Sequence, residues 1–423
     1  DTGWVSSDST IELPNSSSIW IADKNTIGVN EPVKLTWTSD QNITFEKIIT
    51  LDENYLFSVD QRVINNSGLS FDLYPYGLSK RQGIPEMQNF FILHEGPLSI
   101  TDGVLEEYDY DDLKDDKKIK HSSVGGWIGM TDKYWQTAII PNQNEPVQQT
   151  YSYSFVDTID NFPTDIVGER IAVSNNASIS HNFKIFAGPK IVNIIDKYME
   201  EYGFDGFDRS VDFGWFYFLT KPIFNVLEFI YGYVGNFGWS IILFTVLMRI
   251  CFFPLAQQSF KSMAKMKKLA PEMQRLKEQY GDDRAGMQKE MMALYKREKA
   301  NPIAGCLPIL LQIPVFFALY KVLFVTIEMR HAPFIGWVHD LSAPDPLGAL
   351  TLFGFVEWNV PGILQILNVG IWPILMGISM YIQFKLNPAP VDKMQAKIFG
   401  LLPIVFTFIL GGFAAGLVIY WTT

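Results

Sequence analysis

The sequence predicts two unlike bodies in one chain: an antiparallel β-sandwich over residues 1–205 and a membrane α-helical core over 231–423, with an interfacial amphipathic helix at 211–230 between them. Three observations carry this reading. Charge is split: residues 1–205 hold 15 Lys/Arg against 31 Asp/Glu, and 206–423 hold 19 against 14, which together give the net charge of −11. Apolar residues recur with period two in the first half, the mark of half-buried strands. In the second half they form runs long enough to cross a bilayer. A length of 423 residues fits two or three units.

Composition excludes several classes. An acidic chain lacks the basic footprint of a protein that binds nucleic acid directly, and 14% aromatic residues speak against disorder. Cys251 and Cys306 both lie in apolar runs, which rules out a disulfide framework and a cysteine-based zinc site. The opening Asp1-Thr2-Gly3-Trp4 has neither the basic start nor the apolar core of a signal peptide. If the acidic half lies outside the cytosol, an export or anchor segment is expected upstream.

In the first half, Val33, Leu35 and Trp37 alternate with Lys34, Thr36 and Thr38, and Tyr55, Phe57 and Val59 share one face. Tyr151, Tyr153 and Phe155 alternate with Ser152, Ser154 and Val156, and Phe183 with Ile185 repeat the pattern. Asn66-Ser67-Gly68 and Gly125-Gly126 punctuate turns. Many short strands in about 190 residues give a large sandwich. Ile191, Ile194, Ile195 and Tyr198 then predict a short helix ending at Gly203.

At 211–230, seven large apolar residues crowd a segment whose Lys221, Asn225 and Glu228 share one helical face, the pattern of an interfacial helix. Ile230–Leu255 carries a single charge, Arg249, and at 1.5 Å per residue reaches roughly 39 Å. Ile303–Ile327, Gly362–Leu386 and Ile398–Ala415 are further spans, and Gly416–Thr423 reads as the start of a fifth that the sequence cuts short. The 257–301 loop holds 11 Lys/Arg against 6 Asp/Glu, and 385–397 holds Lys385, Lys393 and Lys397 against Asp392. Loop 328–361 has only Arg330 against four acids. The positive-inside rule places the first two loops in the cytosol and the acidic domain on the other side, the periplasm of a Gram-negative cell. Within 257–301, Met266, Leu269, Met273, Leu276 and Tyr280 step as a heptad seam, Gly281-Asp282-Asp283 turn, and Met287, Met291 and Leu294 return, predicting a helical hairpin. Short joints near Gln257 and Asn301 would hold it. Methionines outside the seam, with Met292 among the six present, would offer a soft surface to apolar partners.

Catalytic signals are absent. The histidines (94, 121, 181, 331, 339) are scattered, no nucleophile elbow, His-Glu-x-x-His or phosphate loop occurs, and the chain reads as no enzyme. Asp109–Asp116 fails as a calcium loop, with Lys114 and Lys120 where a glycine and a glutamate belong, and reads as a solvated acidic loop. Two readings fit Arg249: a cation facing a polar cavity, since an arginine at span centre costs at least about 2.5–3.5 kcal/mol, or a side chain snorkelling to headgroups. Pro308, Gln312 and Pro314 place freed carbonyls and an amide at membrane depth, which call for an internal polar partner or close helix packing.

These residues carry a resemblance. Asp212-Phe213-Gly214-Trp215, Val234 to Ile241, Ser262-Met263-Ala264-Lys265-Met266, Glu290 to Tyr295, Asn301-Pro302 with Gly305-Cys306, Pro308, Gln312 and Pro314, then Ala332-Pro333-Phe334 and Trp337 to Ser342 are similar to the YidC insertases of bacterial inner membranes, the YidC/Oxa/Alb family. The resemblance is dense over 210–345, looser over 403–420 and weak in the sandwich. It implies a five-span insertase core whose last span is truncated, a missing N-terminal anchor and a sandwich without its first strands. It implies a membrane protein insertase and chaperone that uses no cofactor. Its groove would be hydrophilic and open to cytosol and lipid. The family's groove arginine falls on Arg249, with Thr245 one turn earlier, Gln312 approaching from the second span, and Tyr420 and fourth-span groups in the walls. Ile313, Pro314, Phe316, Phe406 and Phe408 would form an apolar slide for the client. Implied partners are nascent membrane proteins, the lipid bilayer, the Sec translocon and the ribosome or signal recognition particle pathway. The alternative from the residues alone is a small-solute transporter with a periplasmic binding domain, against which no internal repeat is visible.

Overall fold

Alternating burial along the first-half strands builds a sandwich. The computed structural model describes residues 1–87, 93–281, 283–298, 307–386 and 393–423, in two units, Asp1–Asp212 and Phe213–Thr423. In the first, a nine-stranded antiparallel sheet runs from edge to edge as Ile21–Ala22, Val33–Thr38, Ile43–Leu51, Leu56–Asn65, Ser178–Pro189, Trp135–Ile140, Trp127–Thr131, Gly96–Thr101 and Val104–Glu107. A seven-stranded sheet has the path Thr2–Val5, Phe71–Gln82, Ile159–Gly168, Pro146–Ser152 and Lys118–Val124, with Ser154–Val156 and Ile171–Val173 beside it. Register sets the core: Phe183 pairs with Val59 and Ile179 with Val63. One cluster gathers Tyr151, Phe162 and Phe183, and another gathers Phe45, Val63 and Leu73.

Three expectations change here. Tyr55 precedes its strand in a left-handed conformation (φ 73°). The Tyr151–Phe155 alternation is interrupted at Tyr153, after which Ser154–Val156 forms a separate hairpin with Ile159–Gly168 across the Asp157-Thr158 turn, both residues at positive φ. Asp109–Asp116 is not a loop. Helix α1 (Tyr110–Asp116) forms there because the Asp112 carboxylate accepts the Asp109 backbone N–H, closing a capping box, and Tyr110 and Leu113 are buried. Helix α2 (Val192–Tyr202) ends on Gly203 in the left-handed region. Beyond it, Phe207 meets the ring edges of Trp127 and Phe186.

The second unit is helical. Helix α3 (Tyr217–Val234) buries Thr220, Ile223, Phe224 and Leu227 and stops at Gly235, again left-handed. Asn236 then accepts the Trp239 N–H and starts α4 (Phe237–Tyr280). The span expected at Ile230–Leu255 is therefore two helices divided at Gly235-Asn236. Helix α4 continues unbroken through Gln257 for 44 residues, about 66 Å, so the joint expected there does not exist. Among the described residues it is the one helix whose length and composition suffice to cross a membrane. Helix α5 (Arg284–Arg297) follows Asp283, whose carboxylate accepts the Gly286 N–H. Asp282, the joint at Asn301 and the motif residues Asn301 to Cys306 lie outside the described residues, as does 387–392 of the second basic loop.

Helices α6 (Leu307–Val325), α7 (Ile371–Leu386), α8 (Lys393–Leu410) and α9 (Ala415–Thr422) complete the unit. The span expected at Gly362–Leu386 begins at Ile371. The Asp345 carboxylate accepts the Trp372 N–H at 2.8 Å, besides the Trp337 indole N–H and the Leu347 N–H, and so pins that N-terminus. Gly362–Leu367 is a separate 3-10 turn. The fourth span ends at Leu410 rather than Ala415, because Ala415 and Gly416 donate their N–H groups to Ala343 and Leu341 and start α9. Small residues let these helices close up: a Cβ on Gly238 would lie 2.0 Å from the Phe334 ring, and one on Gly377 2.1 Å from the Thr407 hydroxyl.

Lys190 gives the sandwich a measurable signature. Its side chain is buried and donates to the Thr131 hydroxyl at 2.8 Å. Burial lowers its pKa to about 8, against the opposing pull of Asp212, Asp132, Glu95 and Glu107. The unfolded chain binds the proton up to about pH 10.5, so between pH 8 and 10.5 it holds more protons than the folded one, and Lys190's contribution to stability rises with pH. Unfolding of the sandwich followed against pH for the chain and for Lys190→Met is expected to show a gain on the order of 2–3 kcal/mol across that window, present only with lysine.

Candidate functional site

Arg249 lies on α4 one turn beyond Thr245, whose hydroxyl is buried and donates to the Ile241 carbonyl at 2.7 Å. Arg249 itself is exposed. It opens onto a cavity of about 430 Å³ lined by Thr245, Val246, Ile250 and Phe253 of α4 and by Thr423 at the end of α9. Tyr420, three residues before Thr423 on α9, does not line this cavity; it is buried and packed against Phe244 at 6.4 Å between ring centroids. The Gln312 side chain and the Arg249 charge both act on its hydroxyl. Three helices thus bring one cation, one phenol and one amide together. The hydroxyls of Thr422 and Thr423 turn back onto the carbonyls of Val418 and Ile419.

This arrangement can hydrate and attract; it holds no nucleophile–base pair. Among the described residues, no cluster of three or more His, Cys, Asp or Glu could hold a metal ion. The lining differs from the expected walls: among the described residues it includes Arg249 and Thr245 but no residue of the fourth span (α8), and neither Gln312 nor Tyr420. The proposed slide is also uneven. Ile313 and Phe408 are exposed, whereas Phe316 and Phe406 turn inward onto Trp421, at 5.3 Å edge-on and 6.5 Å stacked. Pro314 is half-buried on α6. Trp421, which the sequence reading passed over, is the ring that joins α6 to α8. The aromatic pair Tyr420-Trp421 in an apolar stretch was the available signal.

The hairpin methionines divide the same way. Met273 is buried, with Leu294 also buried and the Tyr295 hydroxyl donating to its sulfur at 3.9 Å. Met266, Met287 and Met291 are half-buried, and Met292 is exposed. Arg297 bridges to Glu272 at 3.0 Å across the hairpin.

Comparison with known proteins shows the family of the chain. Residues 1–226 match the YidC periplasmic domain and residues 229–423 the 60Kd inner membrane protein family. The chain is 49% identical over 424 residues to the membrane protein insertase YidC of Pelagibacter ubique (strain HTCC1062), covering 100% of this chain and 74% of that protein. It is 46% identical over 423 residues to the insertase YidC of Rickettsia canadensis (strain McKiel), covering 100% and 75%. A solved structure of an active YidC insertase with its first transmembrane domain resolved aligns over 100% of this chain and 80% of that one, at 17% identity and a TM-score of 0.41. A β-sandwich followed by an apolar helical unit, with these matches, defines an inner-membrane protein with a periplasmic domain. The chain belongs to the YidC family of membrane protein insertases, and its function is the insertion of proteins into the membrane. Its relatives are named as insertases rather than as enzymes.

The seat of α9 decides whether these groups meet. A Cβ on Gly416 would lie 2.9 Å from Leu323 of α6 and 3.1 Å from Ile241 of α4. Gly416→Ala meets only the ends of flexible side chains and is expected to cost little. Gly416→Leu overpacks the junction by roughly 1–3 kcal/mol and draws Tyr420 away from Gln312. Thermal unfolding of the purified protein, with client insertion measured alongside, is expected to separate the two variants.

Proposed function

We propose that the Arg249 cavity is the polar station of a client groove, and that the helical unit crosses the membrane several times. In this reading the hairpin and the 385–397 loop face the cytosol and the sandwich faces the periplasm. Loop charge supports the orientation. The observation that carries the reading is Arg249 opening onto a cavity between α4 and the end of α9, among helices whose outward surfaces are apolar, with the Tyr420 hydroxyl close enough to feel its charge. A charge at such depth is kept only where polar groups or water receive it.

The mechanism follows from this placement. A client's polar tail enters from the cytosol and exchanges bulk water for the hydrated cavity. An acidic tail gains further from Arg249: a unit charge pair at 4 Å and an effective dielectric of 20 is worth about 4 kcal/mol. The apolar segment then leaves past Ile313, Pro314 and Phe408 into lipid, with Phe316 and Phe406 as the backing. Burial of that segment drives the step, at about 25 cal/mol per Å², and no cofactor enters it. The Sec translocon and the ribosome or signal recognition particle pathway deliver clients at the cytosolic hairpin, where Met292 is the exposed methionine of the five named seam and surface positions.

The test uses paired clients that differ only in tail charge. Arg249→Lys keeps a point charge and is expected to retain most insertion. Arg249→Ala is expected to lower insertion of acidic-tail clients about tenfold or more (1.4 kcal/mol per factor of ten) and of neutral-tail clients far less. Val246→Arg, on the same wall, is expected to restore part of it. Equal loss for both tails would contradict electrostatic attraction and leave Arg249 a hydrating residue.

A further inference from the structure

The segment between α6 and α7 carries apolar surface that neither helix accounts for. From Leu350 to Leu367 it forms two 3-10 turns, Ala349–Gly354 and Gly362–Leu367, too short to span anything. Yet Phe355 is 90% exposed and Ile363 88%, and Leu352, Trp358, Ile366 and Leu367 are exposed as well. Glu357 is the single charge between Asp345 and Lys385. A patch of this size and contiguity is not left against water.

Two observations say what covers it. The first is the backbone. Ala349 donates its N–H to Val369, Phe353 to Gly348, Val356 to Thr351 and Leu364 to Pro361, while Leu350 donates to the Asn368 side chain at 3.0 Å. Such pairing occurs in many turns in water but is obligatory beside hydrocarbon, so this segment meets the requirement an apolar layer sets. Gly348 makes it possible, because any Cβ there would fall on the Asn368 amide. Leu352 and Phe353 adopt left-handed conformations (φ 47° and 57°) inside this turn. Bulky residues hold that strained shape only where the surroundings reward it, and here it keeps both side chains outward. The second observation is continuity. The second turn leads directly into α7 and packs against α8, and both helices carry exposed apolar residues, Leu375, Ile378 and Ile382 on α7 and Ile404, Val405 and Phe408 on α8, so the medium that covers those helices is the one the turns beside them meet.

We infer that residues 350–367 are an interfacial lipid-binding segment: a non-spanning body seated at the headgroup–acyl boundary of one leaflet. Trp358 and Glu357 lie toward the headgroups, and Phe355, Ile363 and Ile366 among the upper acyl carbons. Aromatic and apolar residues with few charges suit that layer. The inference rests on the membrane placement of the second unit. By loop charge the leaflet is the periplasmic one.

The test is depth measurement on the full chain in phosphatidylethanolamine–phosphatidylglycerol vesicles. Cys251 and Cys306 are first replaced by serine. Single cysteines at Phe355, Ile363 and Ile366 are then spin-labelled, with Ile382→Cys as the lipid-facing reference and Leu69→Cys, exposed on the sandwich, as the aqueous one. The expected result is protection from an aqueous nickel relaxant by at least fivefold relative to position 69, with access to oxygen and a depth shallower than position 382. Aqueous access equal to position 69 overturns the proposal. So does protection from both nickel and oxygen, which means a protein surface covers the patch. If position 382 is itself in water, the membrane placement of the unit fails instead. A second measurement needs no substitution: a phospholipid with a photoactivatable group near its glycerol is expected to label peptides from 350–367, and labelling confined to α7 overturns the proposal.

Discussion

A guanidinium among apolar helices has to be given a place where its charge is solvated, and much of the helical unit is arranged around that requirement. Arg249 sits on α4, and its neighbours there are apolar apart from Thr245, whose hydroxyl donates to the Ile241 carbonyl and leaves a single oxygen to accept from a group with five N–H donors. Relief has to come from other elements. Tyr420 on α9 and Gln312 on α6 bring the needed polarity to one corner, and the cavity beside them leaves room for water, which needs two or more polar partners to settle.

That corner in turn depends on how α9 is seated. Its first turn is fixed by two backbone hydrogen bonds to the 341–343 strap, and Gly416 lets it press against both α4 and α6. Trp421 then reaches across to Phe316 and Phe406, so α9 ties α6 to α8. The strap itself is anchored by Asp345, which caps α7 and holds Trp337. An electrostatic need at Arg249 is thus met by a glycine and a chain of caps. Dispersion and hydrogen bonding fix positions; the charge supplies the reason for having them.

The sandwich is legible in outline because period-two alternation reports on which face is buried, most cleanly at Phe71–Gln82; at Val33–Thr38 and Ser178–Pro189 the burial alternates poorly, and Phe186 rather than Ile185 is the buried partner of Phe183. Helix ends were not. Hydropathy counts apolar residues and is blind to a two-residue break, so Ile230–Leu255 read as one span although Gly235 and Asn236 end one helix and begin the next. Conversely, the rise in charge after Gln257 looked like a joint, but charged residues propagate a helix as well as apolar ones, and α4 continues. The start of α7 depends on Asp345, 27 residues before Trp372, a tertiary cap that no local window contains. The capping box at Asp109 was within a local window and was overlooked because the segment's acidity suggested a loop. At the site, Arg249 stood out as the lone charge of its run and Gln312 as a lone amide, whereas Trp421 was hidden among other aromatics of the last stretch.

The central claim is that a client's polar tail occupies the Arg249 cavity during insertion. Site-specific photocrosslinking reads this directly. A benzophenone amino acid is placed at Val246, which lines the cavity, and separately at Leu247, exposed on α4 but outside it. A nascent single-span client is stalled at increasing lengths. The account requires Val246 to capture the client's tail at short lengths and lose it once the apolar segment has entered lipid, while Leu247 captures little of the tail at any length. Equal capture of the tail at both positions, or none at Val246, would contradict it.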